Sequence, residues 1–416
     1  MSSCSKVIVI GAGASGMMAS IIASRQGVEV TLLEKLPKIG AKLKATGGGR
    51  CNLSNTLSNE EFMASFGREG RFMTTALEQF DSKALQEFFK EIGVETHAPD
   101  GFRIFPIGHS SSTIIDALQK EMERLGVKVL CSKKVTKLLH KNNEIIGVTT
   151  ESETSAPNSI YANKVVIATG GMGYPTLGAE GDGYTLAQSV GHKITQLHPA
   201  MMPLKTKEDW VANCRADTIA KVEIRVDIKK YKKLHAIGDL IFTKNGIRGP
   251  VVLDFSREIT PLLAKFDKVP LIMNLTKGMN EEQIRVHFKN ELAKNQDHKV
   301  LSLLETILPT SVAKEIANLA NALTDLTLSK LPPQSRDKLI KLLAWTPLTV
   351  NGHDGFKMAM ITRGGISLKE IEPKTMQSKK IKGLYFCGEV INLDGPCGGY
   401  NLQWSFASGY LVGMDV

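Results

Sequence analysis

The chain has 416 residues, enough for two or three domains, with 42% hydrophobic and 23% charged residues; these are the proportions of a folded globular protein, not of a disordered or fibrous one. The formal charge of +10 attracts polyanions without identifying them. The six cysteines (Cys4, Cys51, Cys131, Cys214, Cys387, Cys397) contain no C-x-x-C pair and no zinc spacing, so they read as reduced thiols of a cytoplasmic protein and no metal site is expected.

In chain order, "KVIVI" (6–10) is an apolar run that suits a buried parallel strand. "GAGASG" follows with Gly11, Gly13 and Gly16 in G-x-G-x-x-G spacing, then "MMASIIASRQG", a helix ending at Gly27, and "VEVTLLE", a strand closing on Glu34. Each part has a task. Gly11 permits the tight turn, Gly13 lets a pyrophosphate approach the backbone, and Gly16 lets helix and strand pack closely. The helix N-terminus, at Ala14 and Ser15, offers unpaired N–H groups to phosphates. Glu34, 23 positions after Gly11, accepts hydrogen bonds from a ribose diol, which favours FAD or NAD over a 2′-phosphorylated nucleotide. Glycines interrupt this apolar opening, and no other stretch approaches the roughly 20 apolar residues of a membrane span, so no membrane association is expected.

Soon after the acid comes "KLPKIGAKLKATGGGRCNLSN". Gly47, Gly48 and Gly49 add nothing to a core and present bare amides at close range, as an extended ligand requires. Lys35, Lys42, Thr46, Arg50, Cys51 and Asn52 flank them as candidate cofactor contacts, with Cys51 read as a tight-packing or flavin-adjacent residue in preference to a redox partner. "DGFRIFP" (100–106) places Arg103 in a loop; His109 in "FPIGHSSS" is a possible acid, and Ser110, Ser111 and Ser112 are candidate helix caps. "ESETSAPNS" (151–159) is a polar turn between two strands. "KVVIATGG" (164–171) is a strand ending at Thr169, Gly170 and Gly171.

The next 150 residues read as an insertion. "KVEIRVDI", "DLIFT", "VVLDF" and "VPLIMNL" are taken as strands of an antiparallel sheet or barrel. "NEEQIRVHFKNELAK", "SVAKEIANLANAL" and "QSRDKLIKLLAW" carry apolar residues at helical spacing. Residues 196–346 hold 24 Lys and Arg against 17 Asp and Glu, a surplus of seven. Lys229, Lys230, Lys232 and Lys233 cluster around Tyr231, whose ring is expected to stack on a nucleic-acid base. His353 in "NGHDG" is a second possible acid in a loop. "GLYFCGEV" (383–390) is a further strand with Gly388 and Glu389 at its carboxyl end, and "GGYNLQWSFASGYLVG" is a helix starting at Gly398, Gly399, Tyr400 and Asn401. Ligands of open α/β sheets bind beyond such carboxyl ends.

Five of these motifs, "GAGASG", "ATGGGRCNLSN", "ATGGMGYPTLGAEGDGYTLAQSVGH", "GDLIFTKNGIRGP" and "GLYFCGEVINLDGPCGGYNLQWSFASG", stand in an order that resembles the HI0933-like (YhiN-type) family of FAD-dependent oxidoreductases. The resemblance spans nearly the whole chain. It implies an α/β fold: a Rossmann-type FAD-binding domain in two sequence pieces, 1–195 and 347–416, with an inserted β-rich subdomain (196–279) and a helical subdomain (280–346). It also implies that the "GGGRCN" loop lies along the flavin and that Arg103 lies near the substrate cleft. Assignments within the family include ene-type reduction and the reduction of uridine in ribosomal RNA. Cys397, beside the segment implied to touch the flavin ring, is the candidate proton donor to a carbon while the flavin delivers hydride to its neighbour. With only one dinucleotide fingerprint present, NAD(P)H is expected to bind transiently as donor. The expected activity is reduction of a carbon–carbon double bond. A small-molecule flavin enzyme (amine oxidase or enone reductase) and an RNA-associated protein with structural FAD are the alternatives.

Overall fold

The computed structural model describes residues 6–152 and 155–416. Cys4 and the centre of the polar turn at 151–159 lie outside them. The chain divides into two compact units, residues 1–199 with 360–416, and residues 200–359.

The first unit is built on five parallel strands in the order Leu384–Phe386, Lys164–Ile167, Lys6–Ile10, Glu29–Leu33, Lys128–Leu130. Covered on both faces, these strands carry continuous apolar runs; Val7, Ile8 and Val9 are buried. The helix Ala14–Arg25 leads from the first strand to the second. The C-terminal helix Tyr400–Asp415 lies against it. Gly409 and Gly413, one turn apart, permit this approach: a Cβ on Gly409 would stand 2.4 Å from the Ser15 carbonyl oxygen, and one on Gly413 2.6 Å from the Ile22 Cβ. Strands 144–152 and 155–161 take up most of the segment expected as a polar turn (151–159) and pair in a separate three-stranded antiparallel sheet with Lys134–Lys141. A small sheet, Ser54–Asn55, Arg103–Pro106 and Thr96–His97, follows the glycine loop. Arg103 thus opens a strand instead of sitting in a loop. The helix Ser111–Arg124 receives no side-chain cap from Ser110. The Ser111 hydroxyl donates instead to the Lys44 carbonyl at 2.7 Å, just ahead of the three glycines.

The second unit is a closed six-stranded barrel: Leu204–Thr206, Gly246–Arg248, His235–Thr243, Thr218–Val226, Val269–Asn274 and Thr346–His353, which pairs back to the first. Two sequence expectations change here. "VVLDF" is helical, within Pro250–Phe266. Gly249 breaks the chain direction, Pro250 occupies the first helical turn where its missing N–H costs nothing, and Val251, Val252, Phe255, Ile259, Leu262 and Leu263 bury one face at helical spacing. Residues 347–353 belong to the barrel, because their pairing partners are 269–272 and 204–206; His353 ends that strand, with its Nδ1 accepting from the Gly355 N–H at 3.0 Å. Helices Glu281–Lys294, Thr310–Leu319 and Pro333–Ala344 share one apolar core with the barrel strands.

The Lys229–Tyr231 turn links two barrel strands, with all four lysines exposed. Tyr231 differs from its expected role. It is half-buried, its ring lies edge-on to Phe266 at 6.0 Å, and its hydroxyl accepts from Lys265 Nζ at 3.3 Å. Packing has already claimed part of the ring.

Candidate functional site

The site is assembled from turns at the carboxyl ends of the parallel strands. Gly11, at φ 101°, has its Cβ position 2.7 Å from the Ala168 carbonyl oxygen, and that of Gly16 is 1.9 Å from the Gly11 carbonyl oxygen. Gly13 faces open space, with nothing within 4 Å of its Cβ position. That space lies at the N-terminus of the helix Ala14–Arg25, where free N–H groups favour anions. The Glu34 carboxylate accepts from the Ala12 N–H and the Leu36 N–H, each at 2.9 Å. It fixes the turn and retains lone pairs for a ribose diol. Ala14 and Ser15 are buried in the helix start.

Lys42 and Glu389 form an ion pair at 2.7 Å, and the other Glu389 oxygen accepts from the Thr362 N–H at 2.9 Å. Gly171 makes room for this group, since a Cβ there would meet Thr362 Oγ1 at 2.4 Å and Glu389 Oε1 at 2.7 Å. The Thr169 hydroxyl is buried without a partner in the protein. A Cβ on Gly388 would meet Ser15 Oγ at 2.5 Å. Lys35 pairs with Glu180 and Asp182; burial works against its charge, but the two carboxylates outweigh burial and raise its pKa.

The run Thr46–Gly49 is a short 3-10 turn, and Gly47, Gly48 and Gly49 all lie in the left-handed region, at φ 61°, 67° and 89°. Thr46 Oγ1 donates to the Lys42 carbonyl. Arg50 is exposed, with its guanidinium 5.6 Å from the Phe105 ring centre. Cys51 is fully buried, and burial pushes its thiol up to about 12, so it stays protonated and packs. Asn52, in the amide orientation its neighbours dictate, donates to the Ser54 and Ile104 carbonyls at 2.9 and 3.2 Å and accepts from the Gly399 N–H at 2.9 Å. The motif thus ties the glycine loop to the start of the C-terminal helix.

Gly398 and Gly399 have φ 116° and 85°, and a Cβ on Gly399 would fall 2.3 Å from the Ser54 carbonyl oxygen. The Tyr400 ring is buried against Phe62 (4.9 Å) and Phe66 (6.1 Å). Asn401 binds the backbone of Gly395, so its amide shapes the loop before the helix. Cys397 is half-buried in that loop. Arg103 pairs with Asp100 at 2.6 Å on the surface. Hydrogen bonds from the Arg103 and Phe102 backbone and the Arg103 side chain pull the Asp100 pKa down to about 2. His109, at φ 45°, has its Nε2 3.1 Å from that of His97.

Several contributors escaped the sequence reading. Asn55 donates to the Gly398 carbonyl at 2.9 Å. Thr362 Oγ1 accepts from the Met172 N–H at 2.7 Å. Arg363 pairs with Asp394 at 3.6 Å. Asn55 stands inside "GGGRCNLSN", but its partner is 343 positions away. "TRGG" (362–365) was a possible signal: two glycines follow a threonine and an arginine there, as glycines do at the other turns of the site.

These features fit FAD. The open space at Gly13 suits a pyrophosphate, and Glu34 suits a ribose. A family model described as the HI0933-like protein Rossmann domain matches residues 5–415. A "3-dehydro-bile acid delta(4,6)-reductase" of Clostridium scindens is 30% identical over 98% of both chains. A "Ribosomal RNA dihydrouridine synthase" of Escherichia coli is 29% identical over 98% of this chain and 97% of its own. Among solved structures, 3-ketosteroid-delta4-(5alpha)-dehydrogenase from Rhodococcus jostii superposes with a TM-score of 0.52 at 16% identity, over 99% of this chain and 96% of its own. A flavocytochrome c3 fumarate reductase gives 0.51 at 19% identity, over 100% of this chain and 78% of its own. These two likenesses concern the fold. Among the described residues, no helix is long and apolar enough to cross a membrane.

Proposed function

The chain belongs to the HI0933-like family and is an FAD-dependent oxidoreductase, and from that premise we propose that it saturates a carbon–carbon double bond conjugated to a carbonyl. The observation that carries this reading is the loop 394–399. It holds the Cys397 thiol one turn ahead of the C-terminal helix and is bonded to the "GGGRCN" segment through Asn52. FAD, when bound, would supply the hydride that one carbon of the double bond receives. Cys397 delivers its S–H proton to the neighbouring carbon and is reprotonated from solvent, so each turnover consumes one NAD(P)H and one proton. The free N–H groups at the start of the C-terminal helix stabilise negative charge developing nearby. Glu34, Gly13 and the Lys42–Glu389 pair are the residues that would hold the cofactor.

The proposed substrate is uridine in ribosomal RNA. The exposed lysines of the 229–233 turn and the surplus of seven positive charges over 196–346 support it, as does the name of the Escherichia coli relative. A conjugated 3-oxo steroid is the second reading, favoured by the relative at 30% identity. Both substrates present a double bond conjugated to a carbonyl, so the chemistry assigned to Cys397 is the same.

The test is anaerobic reduction with NADH and with NADPH, then mixing with an unmodified ribosomal RNA transcript, a 4-en-3-one steroid, or O2. Dihydrouridine is expected by nucleoside mass spectrometry. Rapid reoxidation by O2 alone, with neither acceptor reduced, would make the protein an oxidase. Cys397→Ala should be reduced at the wild-type rate but transfer to the acceptor about 100-fold more slowly, the usual scale for a lost general acid. Replacing Lys229, Lys230, Lys232 and Lys233 with glutamine should weaken RNA binding and flatten its log–log salt dependence by about one unit for each phosphate no longer neutralised. Flavin content should not change. Undiminished RNA affinity in that variant would move the RNA site elsewhere or favour the steroid.

A further inference from the structure

Residues 395–399 form a five-residue loop whose backbone is held from both sides by asparagine amides. On the upstream side, Asn401 Oδ1 accepts from the Gly395 N–H at 2.8 Å. Its Nδ2 donates to the Gly395 carbonyl at 2.9 Å and the Pro396 carbonyl at 3.4 Å. On the downstream side, Asn55 Nδ2 donates to the Gly398 carbonyl at 2.9 Å, and Asn52 accepts from the Gly399 N–H at 2.9 Å. One residue lies between the two holds: Cys397.

The placement of these amides is not explained by helix formation. Asn401 is the second residue of the C-terminal helix, two past the position where a capping side chain acts; the cap position is Gly399. An asparagine inside a helix is unfavourable unless its amide is used elsewhere. Here it reaches back six residues and engages both polar groups of one peptide residue, as a neighbouring strand would. Asn55 comes from the other end of the chain, in the strand Ser54–Asn55, and its own Oδ1 is set by the Leu57 N–H at 3.3 Å. Pro396 fixes one further dihedral through its ring. At the loop's start, Asp394 is paired with Arg363 at 3.6 Å. Crowding closes off other paths for the chain: a Cβ on Gly395 would meet the Phe66 ring at 2.6 Å, and one on Gly398 the Phe102 ring at 3.1 Å. With the peptides before and after it tied down, the backbone position of Cys397, and so the direction of its Cα–Cβ bond, is set by these holds.

We propose that Asn55 and Asn401 are positioning residues which, through the backbone of residues 395–398, set the location and exposure of the Cys397 thiol. This rests on the reading of Cys397 as proton donor, but the loop geometry can be measured without that reading. A thiol that must meet a carbon beside the one receiving hydride has little tolerance for displacement, since misplacing a reacting group by about 1 Å costs about 100-fold.

Asn55→Asp and Asn401→Asp are nearly isosteric and keep the acceptor that each asparagine offers to a backbone N–H. Each loses the donor and sets a carboxylate against a carbonyl oxygen. The primary probe is iodoacetamide, with alkylation of the Cys397 peptide followed by mass spectrometry across pH in FAD-loaded and FAD-free protein. Each variant should alkylate at Cys397 at least about threefold faster, with a displaced pH midpoint, while Cys51 stays unlabelled because it is buried. In stopped-flow, reduction by NAD(P)H should remain normal. Transfer to the 4-en-3-one steroid or RNA should fall about tenfold in kcat with little change in KM. Wild-type alkylation profiles in both variants would overturn the clamp. If Cys397→Ala transfers at wild-type speed while the alkylation profiles still shift, the clamp stands and the proton-donor role fails. If Cys397→Ala is slow and both asparagine variants behave as wild type, the reverse holds.

Discussion

The turn at Gly11–Gly16 and the loop at Gly47–Gly49 are both glycine-rich, and they are glycine-rich for different reasons. In the first, the constraint is protein against protein: Gly16 has the Gly11 carbonyl oxygen 1.9 Å from its Cβ position, and Gly11 has that of Ala168 at 2.7 Å. In the second, Gly48 and Gly49 have nothing within 4 Å, yet their φ values of 67° and 89° lie in the left-handed region that favours glycine. Gly13 falls into a third category. It has free space around it and an ordinary φ of −86°, so nothing in the protein itself excludes a methyl group. The same letter thus marks a packing contact, a backbone conformation and an approach for a ligand, and only the surroundings distinguish them.

Substitutions separate the three. Gly16→Ala should have the largest effect, about 3 kcal/mol, the upper part of the overpacking range, because the obstructing atom is backbone and cannot rotate away. Chemical denaturation of the FAD-free protein measures it; a variant as stable as wild type would mean that strand and helix can separate cheaply. Gly13→Ala should leave the FAD-free melting temperature unchanged and weaken FAD retention about 10- to 100-fold, equivalent to about 1.4–2.7 kcal/mol. Equilibrium dialysis against FAD decides this, and undiminished retention would place the pyrophosphate elsewhere. Gly48→Ala should cost about 1–2 kcal/mol through left-handed strain alone. Gly48→Asn should cost less, since asparagine tolerates that region. If Gly48→Ala instead spares stability and abolishes FAD binding, the loop belongs in Gly13's category.

The legibility of the site follows the same division. The strand, glycine turn, helix and Glu34 were readable because all their signals lie within about 30 consecutive residues, and such local signals carry their own periodicity. "VVLDF" misled because a five-residue apolar run has no period of its own. The helix appears only when Pro250 and the burial of Ile259 and Leu262 are included. Asn52 and Asn401 were noticed as polar residues beside glycines, but both amides turn toward backbone groups of the protein. Tyr400 was placed at the cofactor, and its ring is buried among phenylalanines. In each of these cases the residue type was informative and the direction of its side chain was not.

By itself, the sequence determined the parallel α/β core, the dinucleotide turn and the acid that follows it, since hydrophobic periodicity and turn chemistry are properties of neighbouring residues. Tertiary structure decided that 346–353 closes the barrel and that Asn55 reaches Gly398 across 343 positions. It also decided that Cys51 is sealed in the core while Cys397 is half-exposed. These outcomes depend on which distant segments are packed together, and that is settled by the burial and hydrogen bonding of the whole chain, which no local window of residues contains.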